Sequence, residues 1–284
     1  MRHGIVLFTS EYGIAPATAA LAAERSGFDT FYVPEHTHIP IRRTAAHPTT
    51  GDASLPDERY KHTLDPWVSL ASAAAVTSRI GLATAVALPV ESDPITLAKT
   101  IATLDQLSDG RVTLGAGFGW NTDELADHGV PARQRRSVLR EYLEAMRALW
   151  TMTEATYQGD FVGFGSSWAY PKPVGNVPCV IGAGGGPRTF EWIAAHAHGW
   201  MTTPAETDIA GQAVRLRKVW AAAGRDGDPD IRVLGTSKPT AELLSRWEQA
   251  GVTEVVWGLP DRSPEEVEDF LARHAQRLGL GSAG

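Results

Sequence analysis

Cysteine is nearly absent from this sequence. Cys179 is the only one, which excludes an internal disulfide and any multi-thiolate zinc site. Its place in the apolar run 177–181 points to buried strand packing. Long hydrophobic runs are missing too: the longest uncharged apolar stretch, 80–90, is about half the roughly 20 residues a bilayer-spanning helix needs. The N-terminus opens on Met1-Arg2-His3-Gly4-Ile5, without the charged start and apolar core of a secretory leader, so a cytoplasmic protein off the membrane is expected. Basic charge is in deficit. The 26 Lys and Arg are scattered among 33 Asp and Glu for a net charge of −7, and no Lys/Arg stripe exists to track phosphate backbones, which argues against a nucleic-acid partner. With no heptad run, low-complexity tract or linker, the expectation is one globular domain over 1–284, with 279–284 a frayed tail.

What is present is alternation. Short apolar or β-branched runs at 5–10, 30–34, 80–88, 111–115, 177–182, 200–203, 231–234 and 254–257 are separated by longer helical patterns, the signature of repeated βα units on a parallel sheet. Eight such units in roughly 250 residues predict an α/β fold of the (β/α)8 TIM-barrel type. Asp65-Pro66 and Asp93-Pro94 each set a capping acid before a proline at the first helical position, where the missing N–H costs nothing. Leu97, Ile101, Leu104 and Leu107 recur at helical spacing, as do Leu139, Leu143, Met146 and Trp150, and Ile209, Ala213, Leu216 and Trp220, each set giving one buried face. Ser263-Pro264-Glu265-Glu266 is a capping box before a last helix. Two segments exceed ordinary connections. Residues 37–63 follow the second strand and predict a lid on the C-terminal face; 151–175 follow the fourth long helix, and Tyr157-Gln158-Gly159-Asp160-Phe161 reads there as a hairpin.

Three features close predicted strands on the face where barrel enzymes carry their chemistry. Glu35-His36 ends the second strand, an acid beside an imidazole that titrates near working pH and can serve as general base. His38, Arg42 and Arg43 follow as candidate substrate contacts. A His-x-His pair closing a barrel strand also opens metal-dependent amidohydrolases; Asp261 keeps that reading open, while the ends of the fifth and sixth strands offer no further histidine. Gly182-Ala183-Gly184-Gly185-Gly186-Pro187-Arg188 joins the fifth strand to a helix. Its glycines and the helix N-terminus could cradle a phosphate without a lysine, although the spacing fits neither the dinucleotide fingerprint nor a P-loop. Gly115-Ala116-Gly117-Phe118-Gly119-Trp120-Asn121 closes the fourth strand, its alternate glycines arguing for close approach of a ligand or another backbone, and Trp120 for a ring that stacks or caps the barrel mouth.

The ordered set 63–67, 77–89, 97–105 and 107–115, continued by Gly119-Trp120-Asn121, Tyr157-Gln158-Gly159, Pro171-Lys172-Pro173, the 182–186 loop and Gly199-Trp200, resembles the bacterial luciferase-like monooxygenase superfamily, most nearly its F420-dependent oxidoreductase branch. The resemblance implies that Glu35 and His36 lie in the active site, with His36 the base, and that a non-prolyl cis peptide at Ala85-Val86 backs the middle ring of a deazaflavin. It assigns Gly117, Phe118, Gly119 and Trp120 to the same cofactor, and the loop of Gly182, Ala183, Gly184, Gly185 and Gly186, with Arg188, to its phosphate. The expected cofactor is F420, with FMN the alternative. FMN members place a phosphate-binding arginine where Phe118 stands, and glucose-6-phosphate dehydrogenases of the F420 group a glutamate where Trp120 stands. The expected activity is hydride transfer to or from a small organic substrate, in a homodimer. An FMN monooxygenase fed by a separate reductase, a metal-dependent hydrolase, and a protein that only binds the cofactor are the other readings.

Overall fold

A computed structural model describes residues 1–235 and 240–281. Its strands are β1 (Arg2–Leu7), β2 (Thr30–Val33), β3 (Gly81–Thr84), β4 (Val112–Gly117), the pair β5 (Ala155–Gln158) and β6 (Gly163–Ser167), then β7 (Cys179–Gly182), β8 (Gly199–Met201), β9 (Asp230–Gly235) and β10 (Glu254–Leu259). All but β5 and β6 are parallel neighbours in a closed barrel of order β1-β10-β9-β8-β7-β4-β3-β2. The eight predicted strands are therefore the barrel staves. The helices are α1 (Pro16–Arg25), α2 (Pro66–Ala74), α3 (Pro94–Leu107), α4 (Thr122–Asp127), α5 (Arg135–Thr151), α6 (Pro187–His196), α7 (Ile209–Ala222), α8 (Ala241–Ala250) and α9 (Pro264–Leu278). The short α4 precedes α5, the Trp150 helix.

The caps explain where the helices start. Asp65 and Asp93 accept from the N–H of Val68 and Thr96 at 2.8 and 2.7 Å, and Ser263 with Glu266 forms the complete capping box of α9, satisfying donors that have no partner within a helix. At the C-terminus Gly279 takes the left-handed conformation; the expected fraying of 279–284 falls in part on 282–284, outside the described residues. The 157–161 hairpin forms as the sequence indicates, and its Phe161 N–H donates to Glu141 on α5 at 2.8 Å.

Strand limits shift in two places that matter. β1 runs from Arg2 to Leu7 because its register to β10, Arg2 against Glu254 through Leu7 against Leu259, ends with its neighbour; residues 8–10 leave the sheet and turn over the barrel mouth. β3 stops at Thr84. The chain then passes through the cis Ala85-Val86 peptide and regains β4 only at an Ala87–Ala116 bridge.

Two apolar layers hold the assembly. The larger lies between barrel and helices and includes Phe31, Leu82, Ile101, Leu114, Trp200 and Leu271. The smaller fills the barrel with Tyr32, Ala83, Val180, Met201 and Val256. At the N-terminal end of the staves the filling is ionic: buried Arg232 donates to Asp230 at 2.6 Å and to the Tyr32 hydroxyl at 2.7 Å, and lies 3.7 Å from Glu254.

Candidate active site

The mouth is built where β2, β3 and β4 end. Beyond β2 the chain places Glu35, His36 and Thr37 in sequence, and each is fixed by a different element. Glu35 is buried; its N–H donates to Val86 O at 3.1 Å and its carboxylate accepts the Leu88 N–H at 2.5 Å, so it clamps the segment that follows β3. Burial pushes its carboxyl up to about 7, opposed by the Leu88 hydrogen bond and reinforced by the charges of Asp65 and Glu124. His36 Nδ1 lies 2.8 Å from Glu124 Oε2. A carboxylate only accepts, so Nδ1 carries the proton and Nε2 is left as the basic nitrogen. Nε2 has no protein partner among the described residues, and the ring lines the mouth. Glu124 is fully buried on α4 and also accepts from Thr37 N at 3.1 Å and Asn121 Nδ2 at 3.2 Å. Three donors on one carboxylate fix the ring plane and tautomer of His36.

Two adjoining cavities open on this face, of about 350 and 370 Å3, within the size range of small-molecule sites. They share walls at Ala85, Val86, Leu88, Trp120, Thr203 and Leu234. The first runs from the Ala85-Val86 segment to Gly117, Phe118 and Gly119, then to Gly182, Ala183, Gly184 and the first turn of α6 at Thr189. Its floor is closely packed around the Val86 side chain: a Cβ on Gly182 would stand 2.5 Å from Val86 Cγ1, and one on Gly117 2.7 Å from Val86 Cγ2. Gly184 faces open space. Its N–H and that of Gly186 have no acceptor among the described residues, whereas Gly185 N–H is taken by Glu206 at 3.1 Å. Free amides at a helix start suit a phosphate, and Arg135 and Arg136 add guanidinium groups to the same wall. Arg136 stacks 4.4 Å over the Phe118 ring and donates to Thr189 Oγ1 at 3.2 Å.

The second cavity is the one His36 lines, together with Phe8, His47, Arg59 and Tyr60. Trp120 stands edge-on to both His36 and His47, at 5.8 and 4.6 Å between centroids. Tyr60 is hydrogen-bonded to His47 at 3.0 Å, and burial pushes its hydroxyl up to about 12, so it remains a neutral donor or acceptor. The lid expected from 37–63 supplies this wall. It is pinned to α4 by Asp123, which accepts from Thr44 N and Ala45 N at 2.8 and 2.9 Å.

Of the residues singled out in the sequence, Glu35, His36, Ala85, Val86, Gly117, Phe118, Gly119, Trp120, Gly182, Ala183 and Gly184 line one cavity or both. His38, Arg42, Arg43, Gly185, Gly186 and Arg188 line neither. Arg42 is exposed at the loop's outer edge, Arg43 turns back to donate to Pro40 O at 3.2 Å, and His38 is held by Asp127 at 3.0 Å. Arg188 is exposed on α6 and acts on the cavity only as a charge near Arg136. Asp261, the proposed extra metal ligand, instead accepts from Ser10 Oγ at 2.5 Å and Ile14 N at 3.0 Å. Arg135, Arg136, Glu91 and Glu124 went unnoticed. Asn121 and Glu124 stand at capping-box spacing, and a basic pair opening a helix opposes the helix dipole; both were visible signals.

Residues 15–277 match the luciferase-like monooxygenase family. An uncharacterized protein of Mycobacterium tuberculosis is 63% identical over 279 residues, 98% of this chain and 99% of the relative. The F420-dependent glucose-6-phosphate dehydrogenase of Nakamurella multipartita is 30% identical over 207 residues, covering 72% of this chain and 56% of that enzyme. The crystal structure of monooxygenase RslO1 from Streptomyces bottropensis shares the fold with a TM-score of 0.75 at 21% identity, over 98% of each chain. The family match runs from the turn before α1 into α9 and takes in every stave but β1, and the chain belongs to the luciferase-like monooxygenase family.

Proposed function

We propose that this protein is an F420-dependent oxidoreductase that exchanges a hydride with a small organic substrate. The carrying observation is the division of the mouth into two cavities that meet along Ala85, Val86 and Leu88. One has a smooth glycine floor and a phosphate-binding end; the other holds an oriented base. Two reactants bound side by side across that wall is the arrangement a transfer reaction gains most from, since positioning converts a bimolecular step into an intramolecular one. In the first cavity Ala85, Val86, Gly117 and Gly182 would receive the planar ring, and Gly184, Thr189 and Arg136 the phosphate. When bound there, F420 supplies a carbon that accepts or gives up the hydride. His36 Nε2 takes or returns the accompanying proton, and Trp120 with Tyr60 shields the substrate from water. Phe118 in place of the arginine that FMN members carry supports the choice of deazaflavin.

Arg136 at the phosphate end would also suit FMN, and a monooxygenase fed with reduced flavin by a separate reductase is the second reading. Titrating the protein with F420 and, separately, with FMN while following the fluorescence of its nine tryptophans decides between them. Tighter binding of F420 by roughly tenfold or more, about 1.4 kcal/mol, is expected. Preference for FMN, with oxygen consumption coupled to substrate, would replace the proposal by the second reading. A small-molecule substrate in the cytoplasm and a homodimer built through barrel helices complete the proposal.

A further inference from the structure

The second cavity holds a donor as well as a base, and a histidine tautomer identifies it. His47, in the loop after β2, is buried, and its Nδ1 accepts the Thr49 N–H at 3.1 Å. A backbone N–H can only donate, so Nδ1 carries a lone pair and the ring hydrogen sits on Nε2. Nε2 lies 3.0 Å from the Tyr60 hydroxyl, and that hydrogen bond therefore runs from His47 to the Tyr60 oxygen. The hydroxyl's own hydrogen is left over, with no acceptor among the described residues. Burial, with the charges of His36 and Arg43, holds His47 below the usual imidazole range, which keeps the ring neutral near pH 7. Packing fixes the pair: His47 stands edge-on to Tyr60 and Trp120 at 5.2 and 4.6 Å between centroids, and the Phe8 ring lies 4.6 Å from that of Tyr60. Tyr60 itself rides on one turn of 3-10 helix, Glu58–Lys61, capped by Asp57.

Donor and base face one space. His36 and Tyr60 both line the cavity, with 5.3 Å between ring centroids. His36 Nε2 accepts and the Tyr60 O–H donates, and neither is used by the protein. An alcohol oxygen satisfies both, donating to His36 and accepting from Tyr60; a carbonyl oxygen accepts from Tyr60. The remaining wall suits an uncharged molecule. Val6, Phe8, Leu88, Trp120, Leu234 and Leu259 give it an apolar lining. Among the described residues Arg59 is the one guanidinium or ammonium there, and Asp57 already holds its Nε and Nη2 at 2.9 and 2.6 Å. A carboxylate or phosphate would be desolvated with no free cation to meet it.

We propose that Tyr60 is a second catalytic residue, donating a hydrogen bond to the oxygen of an uncharged alcohol, aldehyde or ketone, with His47 the positioning residue that leaves its hydrogen free. The inference rests on reading the second cavity as the substrate site of the proposed oxidoreductase. Oxidation of an alcohol there passes its O–H proton to His36 Nε2 and its carbon-bound hydrogen, with the electron pair, to the deazaflavin. The Tyr60 hydrogen stays on its own oxygen and stabilises the charge that builds on the substrate oxygen. In the reductive direction the same contact polarises the carbonyl. Burial and the charge of Asp57 push the Tyr60 hydroxyl up to about 12, against Arg59, so the donor keeps its hydrogen at working pH.

Binding of acetophenone, an uncharged aryl ketone, to the cofactor-free chain tests the proposal, and its failure is separate from a failure of the F420 titration. Tyr60→Phe removes the hydroxyl and keeps the ring. It is expected to weaken acetophenone binding roughly five- to tenfold, the worth of one hydrogen bond between neutral groups, and to leave binding of ethylbenzene, which lacks the oxygen, unchanged. The carbonyl stretch of bound acetophenone should lie at lower frequency in the wild-type chain than in Tyr60→Phe. His47→Leu should raise it toward the Tyr60→Phe value, and His47→Gln, whose amide can donate to Tyr60, should hold it down. Equal affinity and equal carbonyl frequency in wild type and Tyr60→Phe would overturn the role of Tyr60, and a wild-type frequency in His47→Leu that of His47. Tighter binding of benzoate than of acetophenone, or binding of neither, would overturn the substrate class.

Discussion

At the scale of single residues, the mouth is governed by carboxyl groups taken out of water. Glu35, Glu91 and Glu124 are all buried within one cluster, and like charges in low dielectric cannot all ionise. Glu91 carries the consequence. Its folded value of about 9 lies above the ordinary 4.5, so its burial contributes stability that is full below about pH 4.5 and is lost as pH rises toward 9, because the unfolded chain gives up this proton first. Glu91→Gln removes that loss. The variant should match the wild-type chain in thermal unfolding at pH 5 and exceed it at pH 8.5 by about 5 °C, on the order of 2 kcal/mol; equal pH dependence of the two would show that Glu91 ionises normally. The sequence announced His36 by its place at a strand end. It did not announce that Glu124, 88 residues later, would fix the ring.

At the scale of elements, the decisive segment is the stretch after β3. Its Val86 side chain sits against Gly117 at the end of β4 and Gly182 at the end of β7, so three neighbouring staves are fitted to one another where the ring of a cofactor would lie. Adding one methyl there must displace Val86. Gly182→Ala should cost about 1–3 kcal/mol in denaturant unfolding, and pairing it with Val86→Ala should recover much of that loss, since the clashing Cγ atoms are gone. A fully additive double variant would mean that the two positions do not touch. The alternate glycines of 115–119 were legible as a sign of close approach, and the sequence left open whether a ligand or backbone approached. The answer is both. A Cβ on Gly115 would stand 1.9 Å from Thr84 O, while Gly117 and Gly119 line the open cavity. The basic residues of the 37–63 lid divided less evenly: Arg59 faces the cavity and Arg42 and Arg43 do not, because a loop carries no periodicity from which a facing direction could be read.

At the scale of the whole molecule, the barrel separates chemistry from stability by its two ends. The C-terminal end is open and lined by the residues above; the N-terminal end is closed by Arg232 with Asp230, Glu254 and Tyr32. A buried guanidinium facing carboxylates from its own and the neighbouring stave is costly to leave half-made. Arg232→Leu should therefore lower unfolding stability by about 3–5 kcal/mol while leaving F420 titration within a few-fold of wild type. A loss of binding equal to the loss of stability would show instead that the two ends are coupled.

Much of this architecture was determined by local pattern. Eight apolar runs, proline-capped helix starts and the Ser263 capping box depend on near neighbours in the chain, and each formed close to where the spacing placed it. The glycine loop before α6 and the strand-end Glu35-His36 were legible for the same reason. Tertiary structure alone decided which side chains meet across the mouth. Glu124 reaches His36 from α4, Arg136 reaches Thr189 on α6 from α5, and Glu91, in the turn beyond β3, meets the Thr37 hydroxyl beyond β2. Those contacts join residues far apart in sequence, and closure of the barrel, which no local spacing encodes, is what brings them within hydrogen-bonding distance.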